Sequence, residues 1–220
     1  MGEFFNPEKG IWVWLSTLVD VVGLSVLWIA LCLPVVTIGP ATAALYHTVV
    51  KCVRGRESGA FGDYLRSFRD NLKTGLKATL IVLPAAALVL GLHHIVRWYG
   101  TRVGGLLYIL YVAQYFALML PAGVLCWLFP LLGRFEYGVR DLFHTAFQLT
   151  AAHLPSTVVV VLLTAQSVAL CLSRWWPVVF IPVTAMLLVS LFTERIFRKY
   201  SPELAREGQE DPEERDDMPE

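Results

Sequence analysis

The sequence predicts an all-α protein, built as a polytopic bundle of transmembrane helices. Of its 220 residues, 56% are hydrophobic and only 16% are charged, and the mean hydropathy is +0.58. Soluble domains carry about 25% charged residues. Several uncharged runs also reach the roughly 20 residues that a helix needs to cross the hydrocarbon core. This composition excludes a water-soluble monomer.

Charge is divided unevenly along the chain. Residues 203–220 contain 9 of the 18 acidic residues and only 2 of the 18 basic ones, which leaves a net charge of +7 in residues 1–200. We therefore divide the chain into a transmembrane helical domain, residues 1–200, and an acidic tail, residues 201–220. The tail has no apolar periodicity, so we expect it to be disordered in the cytoplasm.

Five apolar segments are long enough to be spans. They are residues 11–36, in which Asp20 is the only charged residue, and the uncharged runs 78–96, 103–133, 154–173 and 175–193. A sixth candidate, residues 39–50, follows Pro34 and has Pro40 where the first helical turn would lie, a position that tolerates proline. This short segment is either a sixth span or a re-entrant helix beside five spans.

Basic residues predict the orientation, because short cytoplasmic loops retain lysine and arginine. Seven of them lie in residues 51–77, which we therefore place inside the cell: Lys51, Arg54, Arg56, Arg66, Arg69, Lys73 and Lys77. Six spans put both termini in the cytoplasm, whereas five put the amino terminus outside. A weak repeat favours six, since GRESGAFGDYLRSF from Gly55 and GRFEYGVRDLFHTAF from Gly133 each precede an apolar span.

Two polar connections have the periodicity of amphipathic helices. In residues 60–75 the apolar side chains are Phe61, Leu65, Phe68 and Leu72; in residues 139–150 they are Val139, Leu142, Phe143, Ala146 and Phe147. Basic amphipathic helices suit the inner membrane surface. They are either interfacial connectors or docking surfaces for a cytoplasmic partner. Phe61, Leu65, Phe68, Phe143 and Phe147 are the candidate contact residues.

One acidic residue lies inside a predicted span. Asp20 is nine residues past Ile11, about 14 Å into the first span by the rise of an α-helix. A charge at this depth is costly unless it faces protein or water. Asp20 either satisfies the broken backbone near Pro34 or belongs to a solute or proton site. The candidate residues for such a site are Asp20, Tyr46, His47, Gln114, Tyr115 and Gln148.

Residues Thr37, Gly39 and Pro40 predict a sharp turn into the second helix. We expect the Thr37 side chain to accept an amide hydrogen at the helix start, and Gly39 to adopt backbone angles that other residues avoid. Gly39 and Ala43 also have the four-residue spacing that lets helices approach closely in lipid. A bulky side chain at position 39 should therefore be destabilising.

No catalytic, cofactor or metal site is predicted. The chain contains no GxSxG, GxxxxGK[ST] or HExxH motif and no paired carboxylates within the spans. Its four cysteines are widely separated, and the adjacent His93 and His94 point about 100° apart on a helix, a poor geometry for one metal ion. The basic residues flank spans, where topology explains them, so nucleic-acid binding is not indicated.

Residues 33–75, LPVVTIGPATAALYHTVVKCVRGRESGAFGDYLRSFRDNLKTG, resemble the YesL-like family of bacterial membrane proteins of unknown function. The amino-terminal MGEFFNPEKGIWVWLSTLVDVVGLSVLWIALCLP is similar as well. The resemblance implies an association with carbohydrate uptake, because such proteins are often encoded beside sugar ABC importers and sensor kinases. It implies no functional residues.

These observations predict a non-enzymatic, multi-pass protein of the bacterial cytoplasmic membrane with an accessory or regulatory role in carbohydrate uptake. Its expected partners are the lipid bilayer and either sugar ABC transporter subunits or a sensor kinase. The alternatives are a small-solute transporter in its own right and a structural membrane scaffold. No cofactor is expected.

Overall fold

The computed structural model describes residues 7–54, 59–103, 105–174 and 176–200, and these residues are helical or connect helices. Seven α-helices lie within these ranges: α1 Pro7–Cys32, α2 Ile38–Thr48, α3 Ala60–Val103, α4 Leu106–Arg134, α5 Val139–Ala152, α6 Leu154–Ser173 and α7 Ile181–Tyr200. A π-helical segment, Val49–Arg54, extends α2, and 3₁₀ turns form at Val35–Thr37 and Trp176–Val179. The all-α prediction is confirmed. The predicted disordered tail and residues 55–58 of the proposed repeat lie outside the described residues.

Three helices are long and apolar enough to cross a membrane, counting only the described residues: α3, α4 and α6. Residues Leu18–Cys32 of α1 form a shorter apolar helix. Helix α6 has the bounds predicted for its span, and α4 differs by three residues at its start and one at its end. Helix α1 ends before the predicted 36, because Pro34 is extended and its ring disfavours a helical residue before it. These helices are compatible with a membrane protein.

Helix α3 joins two segments that the sequence pattern separates. Its 44 residues form one helix about 66 Å long, which contains both the predicted amphipathic helix and the span at 78–96. The stretch between Lys77 and Arg97 carries no charged residue and covers about 30 Å. A charged half, residues 60–77, therefore continues into an apolar half within one helix, which contains Pro84.

The buried side of the charged half differs from the predicted apolar stripe. Ala60, Tyr64, Ser67 and Gly75 are buried, whereas Phe61 and Leu65 are 40% and 45% exposed. The predicted stripe therefore differs from this interface: Ala60, Ser67 and Gly75 are small, and the one large side chain among the buried four, Tyr64, donates a hydrogen bond to the Ala41 carbonyl of α2 at 3.1 Å.

Helix α5 folds back along α4, so that Thr150 lies against Gly123. Leu142, Ala146, Leu149 and Thr150 are buried. Phe143 packs at the edge of the same core, whereas Phe147 is 50% exposed. This apolar face packs on protein along most of its length.

Helix α2 lies in the interior, with eight of its eleven residues buried. It runs antiparallel to α3, since Pro40 meets Gly75 at one end and the extension of α2 places Lys51 beside Asp63 at the other. It also returns along α1, where the Trp28 indole donates a hydrogen bond to the Thr42 hydroxyl at 3.3 Å.

Gly39 packs as closely as its spacing with Ala43 predicts. A Cβ at this position would lie 3.1 Å from both the Gly75 carbonyl oxygen and Cε1 of Phe129, and nearer still to the Thr79 hydroxyl. Pro40 lies in the first turn of α2, as expected.

The other two features predicted for this turn are wrong. Gly39 is within the helix, and positive φ occurs only at Gly59 and Gly105 among the described glycines. The Thr37 hydroxyl does not cap α2: it donates back to the carbonyls of Leu31 at 2.5 Å and Pro34 at 2.6 Å. The 3₁₀ segment Val35–Thr37 makes the turn instead, so no residue there needs left-handed angles.

Aromatic rings join the carboxyl-terminal parts of α2, α4 and α7. Trp127 and Phe197 are buried with ring centroids 5.9 Å apart, and Phe197 also meets Tyr46 and Phe135 edge-to-face. The Trp127 indole donates to the Thr157 hydroxyl at 2.9 Å, which ties α4 to α6. These contacts bring the ends of α4 and α7 together beside α2.

Candidate functional site

A polar cavity of about 730 Å³ lies between the end of α2, the charged half of α3 and the segment that follows α4. Its walls include His47 and Lys51 from α2 and its extension, and residues 132–138 from the end of α4 and the turn after it. This volume falls within the range of small-molecule sites, about 300 to 1,000 Å³.

One face of α3 forms the third wall. Its side chains recur at spacings of three and four, which places them on a single side of the helix: Asp63, Arg66, Ser67, Asp70, Asn71 and Thr74. Every one of them can donate or accept a hydrogen bond, and the charged ones carry both signs. The wall suits a polar ligand rather than an apolar one.

An ion pair connects this wall to the extension of α2. Lys51 Nζ lies 2.8 Å from Asp63 Oδ2. Asp63 precedes the apolar half of α3, and the hydrogen bond from Lys51 holds the pKa of its carboxyl below the usual range. The pair joins α3 to the extension of α2 beside the cavity.

A buried network lies behind the cavity. Glu194 on α7 is only 2% exposed, and its Oε1 accepts a hydrogen bond from the Tyr46 hydroxyl at 2.9 Å. The Thr193 hydroxyl is 2.7 Å from the same phenol oxygen, and Nε of Arg134 is 3.6 Å from Glu194 Oε1. A buried carboxylate needs such partners, because an uncompensated charge would be strongly destabilising. Arg134 also lines the cavity, so this network and the cavity share a wall.

His47 has one ring nitrogen fixed by the backbone. Its Nδ1 is 3.1 Å from the Gly133 carbonyl oxygen. A carbonyl only accepts, so Nδ1 carries the proton and Nε2 is the acceptor in the neutral ring. Because His47 lines the cavity, its ring can present a hydrogen-bonding group to a ligand there.

The structure brings together two of the six residues predicted for a solute or proton site. Tyr46 and His47 lie at or directly behind the cavity. Asp20 is half-buried on α1 and does not line this cavity, and Gln148 is exposed on α5. Gln114 and Tyr115 lie on the apolar part of α4.

Gln114 and Tyr115 belong to a second polar group, between α3 and α4. The Tyr111 and Tyr115 hydroxyls are 2.7 Å apart, and the His93 ring meets Tyr115 edge-to-face at 5.3 Å. The buried oxygen of Gln114 and Nδ1 of His93 have no hydrogen-bond partner among the described residues. This group is separate from the cavity.

Sequence reasoning missed Glu194 and Arg134. Both directly follow predicted spans, which end at 193 and 133, and charges in such positions are ordinarily explained by topology. The sequence did carry one signal: opposite charges directly after two predicted spans are able to form an ion pair. That α4 and α7 meet at these ends depends on contacts between segments 60 residues apart, which periodicity does not report.

The predicted partner-contact residues divide into two groups. Phe61, Leu65 and Phe147 are exposed, whereas Phe68 and Phe143 are half-buried at the edges of the core. The Phe61 ring lies against Gly23 of α1, so Leu65 and Phe147 are the side chains available for contact with another molecule.

Residues 21–91 match the model of a family described as "Protein of unknown function, DUF624". The match begins in α1, includes α2 and ends in the apolar half of α3. It therefore contains Tyr46, His47, Lys51 and the α3 wall of the cavity, but not Arg134 or Glu194. No curated protein and no solved structure matches the chain.

Proposed function

We propose that this chain is a non-enzymatic, multi-pass protein of the bacterial cytoplasmic membrane with an accessory or regulatory role in carbohydrate uptake by ABC-type transporters. The resemblance of residues 33–75 to the YesL-like family supplies the association with uptake. The exposure of Leu65 on the charged half of α3 supports contact with a partner protein.

The proposed topology has six spans, with α2 and its extension as the short second span and both termini in the cytoplasm. The basic residues of 51–77 and the repeat that begins at Gly55 and Gly133 support six spans. The Pro40–Gly75 and Lys51–Asp63 contacts place α2 beside the charged half of α3, which also fits a re-entrant α2. The alternative has five spans with α2 re-entrant and the amino terminus outside. In both, Arg198 and Lys199 at the end of α7 favour a cytoplasmic carboxyl terminus.

The position of Leu65 along α3 is the argument for a partner. It lies 12 residues before Lys77, where the uncharged stretch begins, and exposed charged residues such as Arg66 and Arg69 are its neighbours on the helix. Apolar side chains exposed among charges are not explained by contact with lipid tails. Burial against another protein would remove them from water.

Affinity purification from native membranes tests this function. We expect the wild-type protein to recover sugar-importer subunits or a sensor kinase, and Leu65→Ala and Phe147→Ala to recover less. Leu92→Ala and Leu110→Ala are matched controls, because each of these side chains is 51% exposed, close to Leu65 and Phe147, but lies on the apolar part of α3 or α4. Recovery of neither partner, in a detergent that keeps known importer complexes intact, would refute the proposal and favour a structural scaffold.

A second function, transport of a small polar solute, is supported by the cavity, which His47 lines, and by the network of Tyr46 and Glu194 behind it. Its test is a thermal-shift screen of sugars and amino acids with the purified protein. A stabilising ligand should lose its effect in His47→Ala and keep it in Gln148→Ala, whose side chain is exposed on α5. Uptake of that ligand into proteoliposomes would then establish transport, and its absence would leave a binding role alone.

A further inference from the structure

A stripe of basic side chains follows the rim of the polar cavity along α3. Arg66, Arg69, Lys73 and Lys77 recur at spacings of three and four and are all exposed, so they form one ridge about 16 Å long. Within the described ranges, none of the four forms an ion pair. Asp70 lies between Arg69 and Lys73 in sequence and reduces the net charge of this face to +3.

A strongly acidic segment follows the helix that ends beside this cavity. Residues 203–220 contain nine acidic residues and two arginines, a net charge of −7, equal and opposite to that of residues 1–200. The segment begins after Tyr200 of α7, and Phe197 of the same helix lies 5.5 Å from the ring of Phe135, a residue of the cavity wall.

The distance to the stripe is short for a chain of this length. Phe135 and Arg66 line the same cavity, and a sphere of about 730 Å³ is about 11 Å across. Twenty extended residues reach up to about 66 Å. The acidic residues can therefore lie along the whole stripe without any movement of the helices.

We infer that residues 201–220 dock on the basic stripe of the same chain, formed by Arg66, Arg69, Lys73 and Lys77. Exposed ion pairs are individually weak, about 0 to 1 kcal/mol. Covalent attachment offsets this weakness, because a short tether gives an effective concentration in the millimolar range. The contact should be sensitive to salt, since the Debye length falls from about 8 Å at physiological ionic strength to about 3 Å at 1 M.

Zero-length carbodiimide cross-linking of the full-length protein tests this contact. The protein is placed in nanodiscs that contain both phosphatidylcholine and phosphatidylglycerol, and links are located by mass spectrometry in the monomeric band. We expect links from Lys73 and Lys77 to acidic residues of 203–220, reduced several-fold at 1 M salt. The Lys51–Asp63 link, across 2.8 Å, is an internal standard within the fold.

Two double variants distinguish binding of the tail at the stripe from a general effect of the net charge of the protein. Arg66→Gln with Arg69→Gln should reduce the tail links several-fold while the Lys51–Asp63 link remains. Arg97→Gln with Arg102→Gln removes the same charge from the far end of α3 and should leave the tail links unchanged.

Three outcomes would overturn the inference. The first is that Lys73 and Lys77 give no tail links, and the second is that such links occur only between two copies of the chain. The third is that the links form in phosphatidylcholine alone and vanish when phosphatidylglycerol is present, since anionic lipid headgroups are then the occupant of the stripe.

Discussion

Gly133 is the position where a single added methyl group should be most informative about the packing of α2. A Cβ there would lie 3.1 Å from the carbonyl carbon of Ala43 and 3.5 Å from its Cα, and closer still to its carbonyl oxygen. All three are backbone atoms, so no side chain can rotate away. Gly133→Ala therefore requires α2 and α4 to separate. Gly91 on α3 has open space around it and serves as the matched control.

The expected magnitude comes from two opposing effects. Replacing glycine by alanine inside a helix stabilises by about 1 kcal/mol, and this gain is common to Gly133→Ala and Gly91→Ala. Overpacking costs about 1 to 3 kcal/mol and applies only at Gly133. The difference between the two variants should therefore equal the overpacking cost, about 1 to 3 kcal/mol.

Thermal unfolding of the purified variants in one detergent measures this difference. For a chain of 150 to 250 residues, about 1 kcal/mol corresponds to a change in Tm of roughly 2 to 4 °C. Gly91→Ala should melt at or slightly above the wild-type temperature, and Gly133→Ala several degrees below Gly91→Ala. If both variants melt together, α2 and α4 do not pack at backbone contact and the arrangement around Ala43 is wrong.

Three further outcomes are expected. Tyr46→Phe should lower the free energy of unfolding by about 1 to 3 kcal/mol, because the buried Glu194 loses a hydrogen-bond donor. Tyr115→Phe removes an exposed hydroxyl and should lower it less. Equal losses in denaturant titrations would contradict the buried hydrogen bond between Tyr46 and Glu194. Asp63 contributes stability that is complete above its ordinary pKa of 3.8 and is lost as the pH falls through its lower folded-state pKa. The difference in Tm between wild type and Asp63→Asn should accordingly shrink in that acid range. A difference that stays constant with pH would show that the Lys51–Asp63 ion pair does not contribute to stability. Finally, an impermeant thiol reagent should label neither Glu3→Cys nor Glu210→Cys in intact cells; labelling at position 3 alone would select five spans over six.

Helix bounds were predictable where charge and proline coincide with the ends of an apolar run. Residues 154–173 are uncharged, begin beside Pro155 and end before Arg174, and α6 occupies these residues. The same criterion failed on α3. The apolar run begins directly after Lys77, but nothing at that point interrupts the backbone, so the helix continues from Ala60 through both segments. A change in polarity marks the edge of an apolar segment, not the end of a helix.

The orientation of the charged half of α3 was not predictable from its large apolar side chains. Periodicity selects Phe61 and Leu65, yet the buried side contains Ala60, Ser67 and Gly75. Close approach of helix backbones requires small residues, and these contribute little to an apolar pattern. The spacing of Gly39 and Ala43 followed this rule and did predict a close contact.

The small side chains of α2 also explain why the candidate site forms where it does. Ala41, Ala43 and Ala44 are fully buried, which allows α2 to lie near the backbones of both α3 and α4. The larger polar residues that follow, Tyr46 and His47, need hydrogen-bonding partners when they are buried, which the alanines do not. They find them at the ends of α4 and α7, in the Gly133 carbonyl and the Glu194 carboxylate. The cavity is the space that remains beyond these partners, and the polar side of α3 faces it. The packing of α2 therefore determines where the cavity lies.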